Sequence, residues 1–282
     1  MIVTVIGLGL IGGSLALELK KRLGYVVYGI DSEASNANKA LELGIVDEII
    51  EFNQIVESDI VVLAVPVNVL PDLAINVLNN IKSSAIVFDM GSTKEKLSKT
   101  VENHEKRINF VAVHPIAGTE HSGPEAAIYG LFDEKVNIIC DQELSSKEAV
   151  DKVLHIFNTL NMRTIFMNSV AHDKHIAYVS HLSHISSFML GKTVLEKEKN
   201  EKNIFDMAGS GFESTVRLAK SSPNMWTPIL IENKENILNS LNEYIDNLTV
   251  FRDLIIEENK ERLQQTMLET NYIKEVLTGI QK

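Results

Sequence analysis

The sequence predicts an α/β chain: a doubly wound, mainly parallel sheet followed by an all-helical segment. Three observations lead there. Over residues 1–167 short apolar runs alternate with amphipathic stretches, the pattern of strand–helix–strand units packed into a parallel sheet. A glycine cluster, Gly7-Leu8-Gly9-Leu10-Ile11-Gly12, joins the first apolar run to the first amphipathic stretch. From 168 to 282 strand patterns stop and long helical periodicity takes over. The expected domains are therefore 1–167 and 168–282.

In chain order, the strand candidates are Ile2–Ile6, Tyr25–Ile30, Ile60–Val65, Ala85–Asp89, Ile108–Val113, Val136–Cys140 and Arg163–Phe166. Several are apolar at nearly every position, as strands covered on both faces must be. Helices are expected between them at Ile11–Leu23, Glu33–Leu43, Val69–Asn80 and Lys147–Leu160. The second segment reads as helical over 169–199, 210–221 and 223–277, with Pro223 and Pro228 near a helix start, where a missing N–H costs little. Helices of that length in so short a segment predict an elongated bundle that buries its apolar face against a second copy, hence a homodimer. The run Glu196–Lys202 reads as a solvated helix end and loop.

Composition narrows the function. The 282 residues carry 27 basic and 38 acidic side chains, a net charge of −11, with 45% hydrophobic and 23% charged residues. These are figures of a globular chain with a real core, not of a disordered or collagen-like one. No basic excess exists to displace counterions from phosphates, so nucleic acid is excluded as a partner. The acidic surplus would repel an anionic substrate unless Arg217, Lys94, the first helix N-terminus and the histidines focus positive charge locally. Cys140, the single cysteine, allows no intramolecular disulfide or multi-cysteine metal site and reads as a buried strand thiol, which fits a cytoplasmic protein. Residues 1–17 carry no charged side chain, but Gly7, Gly9, Gly12 and Gly13 interrupt the run. It reads as strand and turn, neither leader nor membrane anchor.

The glycine cluster has the context of a dinucleotide fingerprint, directly after a strand and opening a helix, which makes the fold Rossmann-type. Gly7 permits a tight turn, Gly9 lets the backbone approach a pyrophosphate, and Gly12 allows close helix–strand packing. Leu10 and Ile11 open the helix whose N–H groups face the phosphates. Asp31 ends the second strand nineteen residues after Gly12 and is placed to accept from ribose hydroxyls. No Arg or Lys follows it to receive a 2′-phosphate, so the expected cofactor is NAD. Val65 and Pro66 end a strand at the ligand edge of the sheet, where Pro66 either stiffens the nicotinamide site or simply terminates the strand. Ser92 and Thr93 either cap the next helix or touch cofactor and substrate. His114 follows the strand Ile108–Val113 at the same edge and leads into a Pro/Gly-rich loop. A neutral imidazole there can take a hydroxyl proton while the adjoining carbon is oxidised. Farther on, Asp173, Ser180 and His184 recur at i, i+7 and i+11, a polar stripe expected to line a ligand cavity. His172, His175, His181 and His184 on one helix do not converge as a metal set, so no metal is expected.

The segments GLGLIGGSLA, DMGSTK, HPIAGTEHSG, SHLSH and GFESTVRLAKSSPNMW together resemble the prephenate dehydrogenase family, including its arogenate dehydrogenases. The resemblance spans essentially the whole chain. It implies an NAD-binding domain, an all-helical dimerisation domain, and oxidative decarboxylation of prephenate to 4-hydroxyphenylpyruvate in tyrosine biosynthesis. It further implies His114 and Ser92 in the catalytic set, with Arg217 on a substrate carboxylate. Ser180, His184, Thr119, Glu120 and Glu213 are implied around the substrate, and His172 and Asp173 near the site. Trp226 matches an interface position, its alternative being a core aromatic. Glu213 departs from the basic residue frequent there; beside Glu120 it would suit an arogenate amine better than a pyruvyl group. Ending at Lys282, the chain is expected to carry neither a chorismate mutase nor a regulatory domain. The alternatives are an arogenate dehydrogenase, another hydroxy-acid dehydrogenase, or a non-catalytic NAD-sensing dimer.

Overall fold

The computed structural model describes residues 1–199, 201 and 203–280. It divides into two compact units, Met1–Lys234 and Glu235–Lys282. In the first, β1 (Ile2–Ile6), β2 (Val26–Ile30), β3 (Glu48–Ile49), β4 (Ile60–Leu63), β5 (Ile86–Asp89), β6 (Phe110–Pro115), β7 (Val136–Cys140) and β8 (Arg163–Met167) form one sheet in the order β3-β2-β1-β4-β5-β6-β7-β8. All neighbours are parallel except β6 and β7, which pair antiparallel with His114 opposite Ile138. The reversal has a local cause. The connection 116–135 contains only a short 3₁₀ turn, Pro124–Ala126, rather than a crossover helix.

Helices cover both faces: α1 (Leu10–Leu23), α2 (Ala34–Glu42), α3 (Leu70–Asn80), α4 (Glu95–Val101) and α5 (Lys147–Thr159). Alternation along each strand sends one set of side chains to each layer. Val3, Val62, Phe88, Val111 and Ile139 pack with Leu15 and Leu19 of α1 and Phe157 of α5. Val61, Val87, Phe110, Ala112 and Ile138 pack with Leu70 and Val77 of α3 and Leu97 of α4. His114 continues the second face. Cys140 is buried on β7, and burial pushes its thiol pKa up.

Beyond β8, Asn168 accepts a hydrogen bond from the Ala171 N–H at 2.7 Å and caps α6 (Ser169–Ile176). A π-helical turn, Ala177–His181, leads into α7 (Leu182–Glu198), followed by α8 (Ser210–Val216), a 3₁₀ turn Arg217–Lys220, and α9 (Pro223–Glu232). The second unit contains α10 (Lys234–Ile256, begun at the last residue of the first), α11 (Lys260–Thr270) and α12 (Ile273–Ile280). No described helix is long and apolar enough to cross a membrane.

Several expectations change. The two-residue strand β3 is too short to show a period. β6 runs through Pro115, so His114 lies inside the strand and not after it. Helix is not continuous over 223–277: it breaks at Asn233, at Glu257–Asn259, where Glu258 has φ +51°, and at Asn271–Tyr272. Pro228 lies inside α9 rather than at a start. Of the charged run 196–202, Lys199 and Glu201 are exposed, while Asn200 and Lys202 lie outside the described residues.

Gly12 is the tightest point of the cofactor turn. A Cβ there would sit 1.9 Å from the Gly7 carbonyl oxygen and 2.9 Å from Ala64 Cβ. Gly12→Ala is therefore expected to lower stability by about 1–3 kcal/mol, read as a reduced urea midpoint. An unchanged midpoint would contradict this packing.

Candidate active site

The carboxyl ends of β1, β4, β5 and β6 lie along one edge, where an open α/β sheet binds ligands. After β1 the chain turns at Gly7, whose φ of +94° suits glycine. The Gly7 N–H donates to the Ile30 carbonyl at 2.8 Å, and the Leu8 N–H donates to Asp31 Oδ2 at 2.8 Å. Asp31 is thus fixed against the turn, its other oxygen accepting from the Glu33 N–H at 2.9 Å. No side chain caps α1 at Gly9, so its first-turn amides at Leu10, Ile11 and Gly12 have no capping acceptor. A Cβ added at Gly9 would meet nothing within 4 Å. This open, uncapped N-terminus with a carboxylate beside it fits a dinucleotide pyrophosphate and ribose. Val65 lies against Gly7, and Pro66 is exposed just beyond it.

The second feature is a chain of buried polar groups. His114 Nδ1 lies 2.8 Å from His172 Nε2, and His172 Nδ1 lies 2.7 Å from Asp173 Oδ1. Asp173 also accepts the Lys94 N–H at 2.7 Å and the Glu95 N–H at 2.9 Å. It therefore caps the N-terminus of α4 from another element. Both carboxylate oxygens act as acceptors, so His172 must donate from Nδ1 and accept at Nε2. His114 then donates from Nδ1, which leaves its Nε2 as a free lone pair. The Asn233 amide nitrogen donates to the Asp173 carbonyl oxygen at 2.7 Å and lies 3.2 Å from His181 Nδ1.

These imidazoles are held neutral. Burial pushes His114 well below the usual histidine range, and His172, Lys94 and His181 push it the same way. Burial also lowers His172, against the pull of Asp173. His181 is pushed down to about 4, chiefly by burial. His184, lowered by burial and by Arg217, stacks on Trp226 with ring centroids 3.5 Å apart.

The sequence-derived residues fall into groups. His114, His172, Asp173 and His181 are brought together with Asp89 and Lys94. Around Trp226 lie His184 and Ser180, which contributes its carbonyl oxygen to His184 Nδ1 at 2.9 Å. The Trp226 side chain is buried, packing with Ile229 in the β4/α3 layer. Arg217 is exposed at the start of the turn after α8. It forms a third group with Glu120, whose carboxyl is held below its usual range by its own backbone N–H, with His121, Arg217 and Lys220 adding to the effect. Glu213 is exposed in α8. Thr119 is half-buried, its hydroxyl accepting from the His121 N–H at 3.2 Å. Ser92 is half-buried ahead of α4.

Three expectations are corrected. Ser92 and Thr93 do not cap α4, because Asp173 does so from α6. The stripe Asp173, Ser180, His184 is not regular, because the π turn resets the angle and Asp173 is buried and fully engaged. Lys94 and the buried histidines do not supply focused positive charge. Lys94 is taken up by Asp89, and the imidazoles are neutral. Sequence reasoning missed Asp89 and Asn233. An aspartate ending the otherwise apolar run Ile86–Asp89 was the available signal for the first; Asn233 offered none.

A dinucleotide fold with a buried neutral histidine at its ligand edge defines a nicotinamide-dependent dehydrogenase. More particularly, the chain belongs to the prephenate dehydrogenase family. Residues 15–166 match the family's nucleotide-binding domain and residues 168–269 its dimerization domain. The prephenate dehydrogenase of Bacillus subtilis is 32% identical over 269 residues, covering 91% of this chain and 71% of that protein. The crystal structure of prephenate dehydrogenase from A. aeolicus with hydroxyphenyl propionate and NAD+ superposes with a TM-score of 0.90 at 32% identity, covering 98% of each chain. Synechocystis arogenate dehydrogenase matches with a TM-score of 0.78 at 26% identity, covering 98% of this chain and 100% of that one.

The depressed histidines make stability depend on pH. His181, with an ordinary value of 6.5 when unfolded and about 4 when folded, binds fewer protons in the native state. Stability is therefore lost as pH falls through that window. Between pH 7 and pH 5 His181 alone is expected to cost about 2 kcal/mol. Asp47, Asp59 and Asp133, whose pKa values are lowered, stay ionised there. Urea midpoints at the two pH values check this; equal midpoints would contradict it.

Proposed function

We propose that the chain catalyses NAD-dependent oxidative decarboxylation of prephenate to 4-hydroxyphenylpyruvate, a step of tyrosine biosynthesis. The observation that carries this reading is the His114–His172–Asp173 chain, which leaves a neutral imidazole nitrogen free at the cofactor edge. Gly7, Gly9, the first turn of α1 and Asp31 would hold the cofactor, with Val65 and Pro66 beside it. Bound there, NAD supplies the acceptor for the hydride given up by the ring carbon that bears the hydroxyl.

His114 Nε2 accepts the hydroxyl proton. The imidazolium so formed donates from Nδ1 to His172, and the Asp173 carboxylate at the end of the chain offsets the new charge. Oxidation at that carbon makes the ring a dienone, which withdraws the electron pair of the carboxylate bond. Carbon dioxide leaves, the electron pair passes to the dienone oxygen, and the ring becomes aromatic as that oxygen takes back the proton held on His114. The protein's task is therefore to orient and to hold and return one proton. Arg217 is the residue for the substrate carboxylate: always charged, bidentate, and exposed with no ion pair among the described residues. His184, Ser180, Thr119 and Ser92 would border the substrate.

Arogenate is the second reading. Glu120, on whose carboxyl Arg217 acts, offers a carboxylate to a substrate amine, and Glu213 in α8 would offer another. We also infer a homodimer in the cytoplasm. Exposed Leu238, Ile245, Leu248 and Ile255 on α10 present apolar surface for a second copy.

His114→Asn should leave the KM for prephenate within a few-fold while kcat falls by about 10³-fold or more. A kcat near wild type would refute the base assignment. Arg217→Ala should chiefly raise KM, by about 10²-fold, and a pure kcat defect would contradict anchoring. Steady-state assays with prephenate and with arogenate, following NADH, should give the higher kcat/KM for prephenate. The reverse ranking would favour the second reading.

A further inference from the structure

Asp89 and Lys94 are both fully buried and paired side chain to side chain, yet neither belongs to the proton path just described. Their other bonds explain their place. Asp89 Oδ1 accepts the N–H of Val113, the residue before His114, at 3.1 Å. Asp89 Oδ2 accepts the Gly91 N–H at 2.8 Å and the Lys94 ammonium. The Lys94 backbone N–H donates to Asp173 Oδ1, the same atom that holds His172. The bonds close into a ring: Val113, Asp89, Lys94, Asp173, His172, His114, and back along the chain to Val113. Four elements meet in it: β5, α4, β6 and α6.

We propose that Asp89 and Lys94 are positioning residues of the relay, holding the His114 backbone and the Asp173 carboxylate at the separation that His172 must bridge. The proposal rests on the reading of His114 as the base. Within the ring, one carboxylate fixes the backbone that carries the base and the other terminates the proton chain. Lys94 is the single residue of the ring bonded to both, through its side chain and its main chain. An ion pair out of water is a costly way to gain stability, since an apolar pair of similar volume is often as stable. Its use here is directional: the bonds set where two backbones stop, which apolar packing does less sharply.

The pair also has an electrostatic effect. The groups facing His114 are His172 from α6, His181 from the π turn and Lys94 from the start of α4. Those facing His172 are Asp173, Lys94 and Asp89. Removing the ammonium removes a positive charge that opposes protonation of His114. The acid limb of the rate profile should therefore move to higher pH.

The test is the double variant Lys94→Met/Asp89→Asn in the full chain, in which the amide oxygen introduced by Asp89→Asn can still accept the Val113 N–H. We expect a cooperative melt and NAD binding by fluorescence titration within about twofold of wild type. We expect a prephenate KM within about threefold and a kcat reduced by roughly 10²-fold. A folded, NAD-binding variant with wild-type kcat would overturn the proposal. Lys94→Gln, whose amide still donates to Asp89, is read in the same assays and serves if the double variant does not fold. Because it removes the ammonium and keeps Asp89, it should raise the acid limb of kcat/KM by about one pH unit with a smaller loss of kcat, and a wild-type profile would overturn the proposal. His114→Asn separates the two levels. If that variant loses turnover while the Lys94 variants do not, the positioning role alone fails; if His114→Asn keeps turnover, the base assignment fails.

Discussion

The Asp173 carboxylate does two jobs with one pair of oxygens, and the arrangement of the site depends on it. It caps α4 through the N–H groups of Lys94 and Glu95, and it ends the imidazole chain through His172. Moving it would free two helix-terminal donors and leave His172 without its acceptor. The element that carries it, α6, starts immediately after the last strand under the Asn168 cap. A helix outside the sheet is thereby locked to the sheet edge by bonds that also fix the tautomer of His114.

Charge is arranged in layers rather than pooled. The interior of the site holds paired or neutral groups: Lys94 on Asp89, His172 on Asp173, and four imidazoles lowered chiefly by burial. Free positive charge sits farther out, at Arg217 and Lys220 near Glu120. This gives a net charge of −11 a different meaning. On the proposed reading the acidic surplus does not have to be overcome throughout the cleft, because anion recognition would fall to one exposed guanidinium and a helix N-terminus. Neutral histidines in a dry interior are better proton acceptors than charged ones, which have no lone pair to offer.

Much of the fold was legible because it rests on local patterns. The strands that are covered on both faces read as unbroken apolar runs, and the turn at Gly7 and Gly12 declared itself by spacing. Motif context also marked His114 and Asp31. The rest depended on contacts between distant residues. Asp173 caps a helix that starts 78 residues earlier, and no periodicity encodes that. The π turn at Ala177–His181 defeated the assumption of a constant angle per residue, so the stripe of Asp173, Ser180 and His184 was drawn on the wrong cylinder. Lys94 read as available positive charge because sequence shows a side chain's type and not its partner. Helix ends at Asn233 and Asn259 were hidden in a segment whose propensity stays helical throughout.

The site works, on this reading, because burial keeps His114 neutral while a carboxylate acting through His172 fixes its tautomer, with the Nε2 lone pair free. Long-range ¹H–¹⁵N spectra of histidine-labelled protein at pH 6 test this most directly, with His114 assigned by comparison with His114→Asn. The predicted result is a neutral His114 ring protonated at Nδ1, with an unprotonated Nε2 resonance. An imidazolium at that pH, or a ring protonated at Nε2, would contradict it.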